Sequence, residues 1–244
     1  MIRFDIITIF PDIFDSYFGT SIIKLAQQRK LIRIKVHDLR RWTDDKHKTV
    51  DGKSYGGGPG MILKIEPIYK ALRTLRSKVF VRDRSVLKGK NQKSKVILLT
   101  PGGKRFDQRM AGRLSKLKRI IFICGRYEGV DQRVTKFVDE EISIGPYVLT
   151  GGEIPAMIIV DAVTRLAPGV IKTKSLQEET FSFDNKQDGF NLGFKTPREY
   201  PQYTRPEVFT YKDKFGKIRR LKVPKVLLSG DHQRIKEWRE CFVH

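Results

Sequence analysis

Cysteine is almost missing from this chain: Cys124 and Cys241 are the only two among 244 residues. That excludes a disulfide framework. His37, His47, His232 and His244 show no metal-ligand spacing either with those thiols or with one another. No run approaches the roughly 20 apolar residues of a membrane-spanning helix, and no basic segment precedes the apolar N-terminal stretch. The expectation is a soluble, cytosolic protein with no membrane partner. Internal repeats are absent. The glycine-rich Tyr55-Gly-Gly-Gly-Pro-Gly60 lacks the Lys-Ser/Thr that completes a P-loop, which removes nucleotide triphosphate binding at that point. Acidic residues are also scarce: 27 Asp+Glu stand against 49 Lys+Arg, a net charge of +22.

That excess is the strongest global signal, and it predicts a polyanionic partner, most simply a nucleic acid bound in a salt-sensitive way. Hydrophobic residues make up 39%, enough for a core, and the length allows one large domain or two modest ones.

Ile2 to Phe10 is apolar and β-branched and reads as a buried strand stopped by Pro11. Helical spacing follows over Ile13–Lys30, then an alternating strand over Leu31–Leu39. Strand, helix, strand in that order predicts an α/β fold with a mainly parallel sheet. Residues 41–60 read as a loop, Ile65–Leu75 and Phe106–Leu117 as helices, and Val96–Leu99 and Ile120–Cys124 as core strands. Ile154–Leu166 reads as a long apolar helix with Pro155 in its first turn. The 73–95 stretch is the most basic and reads equally as a nucleic-acid-facing arm or a solvated insertion. Lys172–Arg198 is polar and aperiodic, a linker. The chain thus divides into residues 1–171, a linker over 172–198, and a small, mainly helical domain over 199–244, in which Asp231 caps a final helix.

Two glycine-punctuated segments carry the functional signal: Ile123-Cys-Gly-Arg-Tyr-Glu-Gly-Val-Asp131 and Glu141-Ile-Ser-Ile-Gly-Pro-Tyr-Val-Leu-Thr-Gly-Gly-Glu-Ile-Pro155. Each joins an apolar, strand-like run to residues that permit tight turns. Two such breaks side by side build a loop-walled pocket at the ends of neighbouring strands, where bare backbone groups face a ligand. Neither break carries a lysine, so the pocket suits a neutral, edge-recognised ligand such as adenine better than a phosphate.

Further motifs occur in order along the chain. They are Arg3-Phe-Asp-Ile-Ile-Thr-Ile-Phe-Pro11, Tyr55-Gly-Gly-Gly-Pro-Gly-Met61, Leu99-Thr-Pro101 with Phe106-Asp-Gln108, Tyr200-Pro-Gln-Tyr-Thr-Arg-Pro206, Val226-Leu-Leu-Ser-Gly230 and Trp238-Arg239. With the two glycine segments, they make the sequence resemble the bacterial tRNA (guanine-N1)-methyltransferases of the SPOUT class, from Met1 almost to the end. The resemblance implies methyl transfer from S-adenosyl-L-methionine to N1 of the guanosine just 3′ of the anticodon, guanosine 37. It implies a deep trefoil knot around the donor pocket and a C-terminal domain that binds the tRNA anticodon stem-loop. It also implies a homodimer whose active sites are shared between subunits. The family is associated with magnesium, although no dedicated ligand cluster stands out here. By the same resemblance the donor pocket draws on Leu99, Thr100, Pro101, Gly125, Tyr127, Glu128, Ser143, Ile144, Gly145, Tyr147, Leu149, Gly151, Gly152 and Pro155. Pro146 stands where the family more often has Asp.

Such a transfer needs an aligned methyl group, a base for the N1 proton, and a cation for the charge that develops on O6. Arg165 matches the family's catalytic arginine; spacing alone favours an ion pair with Asp161. The resemblance implies that the base is a linker carboxylate. Aligning Phe181 with the family motif makes Glu179 the counterpart of an aspartate, with Glu178 and then Asp184 as alternatives. Tyr200, Tyr203 and Arg205 suit stacking on splayed RNA bases, and packing of the C-terminal domain accounts for them equally. A non-catalytic RNA-binding module, or a methyltransferase with another RNA target, are the competing readings. Heat stabilisation by S-adenosylmethionine separates the first of these from an enzyme.

Overall fold

Phe4, Ile6 and Ile7 lie on consecutive turns of the pleat in the first strand, and they belong to two different cores. This is the signature of a strand buried on both faces. The computed structural model describes residues 1–77, 93–172, 175–176 and 200–242. They fall into two compact units, Met1–Lys172 and Thr173–His244.

The first unit is built on five strands: β1 (Ile2–Thr8), β2 (Ile32–Asp38), β5 (Ser94–Arg105), β6 (Arg119–Cys124) and β7 (Glu140–Ser143). Their spatial order is β2-β1-β6-β5-β7, and every pairing is parallel. One face packs Phe4, Ile6, Ile97, Ile120 and Phe122 against α4 (Gln108–Leu114) and α5 (Glu153–Arg165). On α5 the buried residues Ala156, Ile159, Val160 and Val163 recur at helical spacing and form the inward stripe. The opposite face packs Ile7, Leu98, Ile121 and Ile123 against α3 (Ile65–Ser77). A two-stranded hairpin, β3 (Asp51–Gly52) with β4 (Ile62–Leu63), lies within and beside the stretch read as loop.

Buried charge in the sheet is tightly paired. Asp5 is fully buried and accepts from Arg119 Nε at 2.7 Å, with His37 Nε2 also 2.7 Å away. Burial alone would push the Asp5 carboxyl up. Hydrogen bonds from His37 and Arg3, with the charge and hydrogen bond of Arg119, outweigh it and hold the group well below the usual carboxylate range.

One expectation is corrected. The single helix over Ile13–Lys30 is a 3₁₀ turn (Pro11–Phe14) followed by α1 (Asp15–Phe18) and α2 (Ser21–Gln28). The break is chemical: the Gly19 N–H closes α1 on Asp15 O, Thr20 turns extended, and its hydroxyl donates to Tyr17 O. Among its described residues the second unit mixes strand and helix. It carries an antiparallel hairpin, β8 (Val208–Lys212) with β9 (Ile218–Lys222), before α6 (Lys225–Leu228) and α7 (His232–Glu240). Asp231 does cap α7, accepting from the backbone N–H of Gln233 and Arg234.

β5 is longer than the expected Val96–Leu99, because it leaves the sheet and returns. Its ladder with β7 jumps from Leu99↔Ile142 to Lys104↔Ile142, so residues 100–103 loop out of the sheet. Gly103 permits the return: a Cβ there would lie 2.5 Å from Ile142 N.

Candidate active site

The looped-out segment of β5 is one wall of a pocket of about 340 Å³ at the C-terminal ends of β5, β6 and β7. The turn after β6 (residues 125–130) and the loop from β7 into α5 form the others. In open parallel sheets this is where ligands bind, and the volume lies in the range of small-molecule sites. All fourteen residues assigned to the donor pocket by resemblance line this one cavity. Leu98, Arg126, Gly129, Val130, Gln132, Thr135, Glu141, Ile142, Val148 and Thr150 line it as well and were not singled out.

The two loops are stitched together. Gly152 N donates to Gly125 O at 2.9 Å, and Arg126 and Gly151 form a β-bridge. The approach is so close that a Cβ on Gly152 would lie 2.7 Å from Cys124 Cα. Ser143 Oγ donates to Gly145 O at 3.0 Å and closes the turn that follows β7.

Beneath them lies a buried polar network absent from the sequence reading. Glu153, the first residue of α5, is 1% exposed. Its two oxygens accept from Thr8 Oγ1 at 2.7 Å and from Arg126 Nε at 2.9 Å. Arg126 also donates to Thr150 O at 3.3 Å, and its guanidinium lies 4.6 Å from the centre of the Phe10 ring. One carboxylate thus ties the end of β1, the turn after β6 and the start of α5. No local pattern announces this, because Thr8 and Glu153 are 145 residues apart. Burial, reinforced by the Glu153 charge, pushes the neighbouring Cys124 thiol up, so it stays protonated and inert.

The charge of the lining runs against that of the chain. Its charged residues are Arg126, Glu128 and Glu141, and Arg126 is already paired with Glu153. Among the described residues no group of three or more His, Cys, Asp or Glu forms a metal cluster. No described helix is long and apolar enough to cross a membrane.

Arg165 ends α5, ten residues beyond Pro155, or about 15 Å along the helix axis, and it is not part of the pocket lining. Asp161 accepts a hydrogen bond from the Tyr17 hydroxyl, which pushes that hydroxyl up to about 12. Glu178, Glu179 and Asp184 lie outside the described residues, as does most of the basic 73–95 stretch. In the second unit, Arg239 stacks on Tyr200 at 4.6 Å, and Tyr203 tilts against Trp238 at 6.5 Å. Both tyrosines therefore make packing contacts within that unit.

Comparison with known proteins fits this geometry. The family model described as tRNA (Guanine-1)-methyltransferase TrmD matches residues 2–242. A Dictyoglomus turgidum protein named tRNA (guanine-N(1)-)-methyltransferase is 50% identical over 240 residues, covering 98% of this chain and 84% of its own. A Citrifermentans bemidjiense protein of the same name is 46% identical over 238 residues, covering 97% and 83%. The crystal structure of the tRNA (m1G37) methyltransferase from Aquifex aeolicus aligns with a TM-score of 0.70 at 36% identity, over 97% of this chain and 87% of that one.

Proposed function

Because the chain belongs to the tRNA (guanine-1)-methyltransferase family, we propose that it methylates N1 of guanosine 37 in tRNA, with S-adenosyl-L-methionine bound in the pocket at the ends of β5, β6 and β7. The observation that carries the donor assignment is the sign of the lining. In a chain of net charge +22, the pocket presents two carboxylates and one arginine already neutralised by Glu153. That environment repels phosphate-bearing cofactors and favours a ligand with a cationic centre. The donor supplies a methyl group on a positively charged sulfur, already activated for transfer. Backbone groups of the three loops suit the edges of adenine, and Leu98, Ile142 and Pro155 suit its faces.

The protein's part is alignment, proton removal and charge stabilisation. Glu179 takes the N1 proton, with Glu178 as the alternative, and Arg165 donates to O6 as negative charge develops there. Arg165 lies about 15 Å along α5 from Pro155 and outside the pocket lining, so pocket and arginine must be brought to one guanine. A homodimer in which one subunit's pocket meets the partner's arginine resolves this. Ile154, Ile158, Tyr17, Ile22 and Leu25 supply an exposed apolar surface for it on α5, α1 and α2. A deep trefoil knot is formed around these loops; the bridge between Arg126 and Gly151, which brings the turn after β6 against the loop after β7, is the contact that supports it. The second unit is the tRNA-binding domain, and the cytoplasm is the setting.

The test is methyl transfer from labelled donor to two tRNA transcripts, one with guanosine and one with adenosine at position 37. Label on the first alone, located at N1, supports the reading. Label on neither transcript, with the donor bound, refutes the assigned target.

A further inference from the structure

The β8–β9 hairpin is the least protected element among the described residues: all ten of its strand residues are exposed. A lone two-stranded ribbon is marginal in water, so one uncovered on both sides is made to meet something. Its register separates two chemistries. Thr210 pairs with Arg220, Val208 with Lys222 and Lys212 with Ile218, which places Lys212, Arg220 and Lys222 on one face. Phe209 pairs with Leu221 and Tyr211 with Arg219 on the other, where the Phe209 and Tyr211 rings stack 6.0 Å apart.

The two faces differ in how their charge is held. Arg219, on the aromatic side, is bound to Asp213 at 2.9 Å. Lys212, Arg220 and Lys222 make no ion pair among the described residues. Asp213 is further committed to the turn, accepting from the N–H of Phe215 and Lys217. At the tip, Phe215 is 81% exposed with the Lys214 ammonium 5.0 Å from its ring centre. From Glu207 to Lys225 there are seven Lys+Arg against two acids. The same hairpin in a second copy carries the same excess, so pairing of hairpin with hairpin is disfavoured. A polyanion is the complementary partner.

We infer that the hairpin is an RNA-docking ribbon whose Lys212, Arg220 and Lys222 face seats on phosphates of the tRNA, beyond the nucleotide that is methylated. The inference rests on the proposed tRNA function and adds a contact surface to it. Three cations on one face of the ribbon position RNA without reading its sequence. The exposed ring of Phe215 at the tip suits stacking on an unpaired base.

The test combines K212Q, R220Q and K222Q in one full-length variant. Affinity for an unmodified tRNA transcript is measured by fluorescence anisotropy across a salt series, with methyl transfer followed in parallel. Loss of three phosphate contacts predicts a plot of log affinity against log salt flatter by about 2–3 units, with roughly tenfold or greater weakening at low salt. The charge-retaining K212R/R220K/K222R variant should keep the wild-type slope. Unchanged donor affinity in both variants shows that the first unit is intact. If wild-type protein methylates tRNA and the glutamine variant binds it with unaltered slope and affinity, the ribbon does not touch phosphate and the inference falls. If the variant changes oligomeric state and not salt slope, the face is a protein interface and the inference again falls. If wild-type protein neither binds nor methylates tRNA, the underlying functional reading has failed instead.

Discussion

Replacing Glu153 with Gln changes one atom's chemistry at the point where three walls of the pocket meet. Both oxygens of Glu153 accept, from Thr8 Oγ1 at 2.7 Å and from Arg126 Nε at 2.9 Å. Glutamine offers one acceptor and one donor, so either Thr8 or Arg126 must face an N–H. Rotating the Thr8 hydroxyl is a poor escape. Its oxygen already accepts from Phe10 N at 2.9 Å, and its own hydrogen would be left without an acceptor. A buried donor stranded in this way costs about 1–3 kcal/mol. Loss of the charge opposite Arg126 adds to this, but falls short of the about 3–5 kcal/mol for breaking a fully buried pair, since the Arg126 side chain is 16% exposed. A total of about 2–4 kcal/mol corresponds to a fall in Tm of roughly 4–16 °C for a domain of this size. Donor affinity should drop about tenfold, because Arg126 and the Thr150 carbonyl lose their anchor; that equals about 1.4 kcal/mol. Thermal unfolding by circular dichroism and isothermal titration with S-adenosylmethionine read the two effects. A Tm within 2 °C of wild type, with donor affinity within twofold, would refute the claim that this carboxylate holds the pocket together.

Two further perturbations probe neighbouring features. Gly152→Ala places a methyl group 2.7 Å from Cys124 Cα, an overpacking cost of about 1–3 kcal/mol. It should weaken donor binding in titration calorimetry with little change in far-ultraviolet circular dichroism, and full donor affinity would show that the loop yields freely. Acid should unfold the first unit partly through Glu140, whose carboxyl the hydrogen bonds of Arg113, opposed by burial and joined by Lys95, bring from 4.5 down to about 2. A depressed folded value means that this stabilisation is complete above pH 4.5 and fades as pH falls towards 2. E140Q should therefore flatten that limb of a stability–pH profile, and an identical slope in variant and wild type would remove Glu140 from the account.

Legibility in the sequence followed the range of each interaction. The sheet strands showed in runs such as Ile120–Cys124, because a strand buried on both faces must be continuously apolar. α5 showed in its apolar periodicity and in Pro155. The pocket glycines showed because two turn-rich breaks lie close together in the chain. The Thr8–Glu153–Arg126 network did not show, since Thr8 looks like an ordinary strand residue until folding brings it to α5. The β8–β9 hairpin escaped for another reason. Val208–Lys212 and Ile218–Lys222 do alternate in register around Asp213-Lys-Phe-Gly216, but both of their faces are exposed. The usual cue of one apolar and one polar side is therefore blurred, with Arg219 among the aromatics and Val208 and Ile218 among the cations.

The break in β5 carries a consequence for how the molecule comes apart. β7 is the outermost strand, and it holds β5 through a ladder interrupted over residues 100–103, of which Thr100 and Pro101 line the cavity. The sheet's edge is therefore seamed at the same place where small molecules enter. A bound molecule rivets that seam from both sides, so starvation for ligand and fraying of the edge are one event seen from two directions.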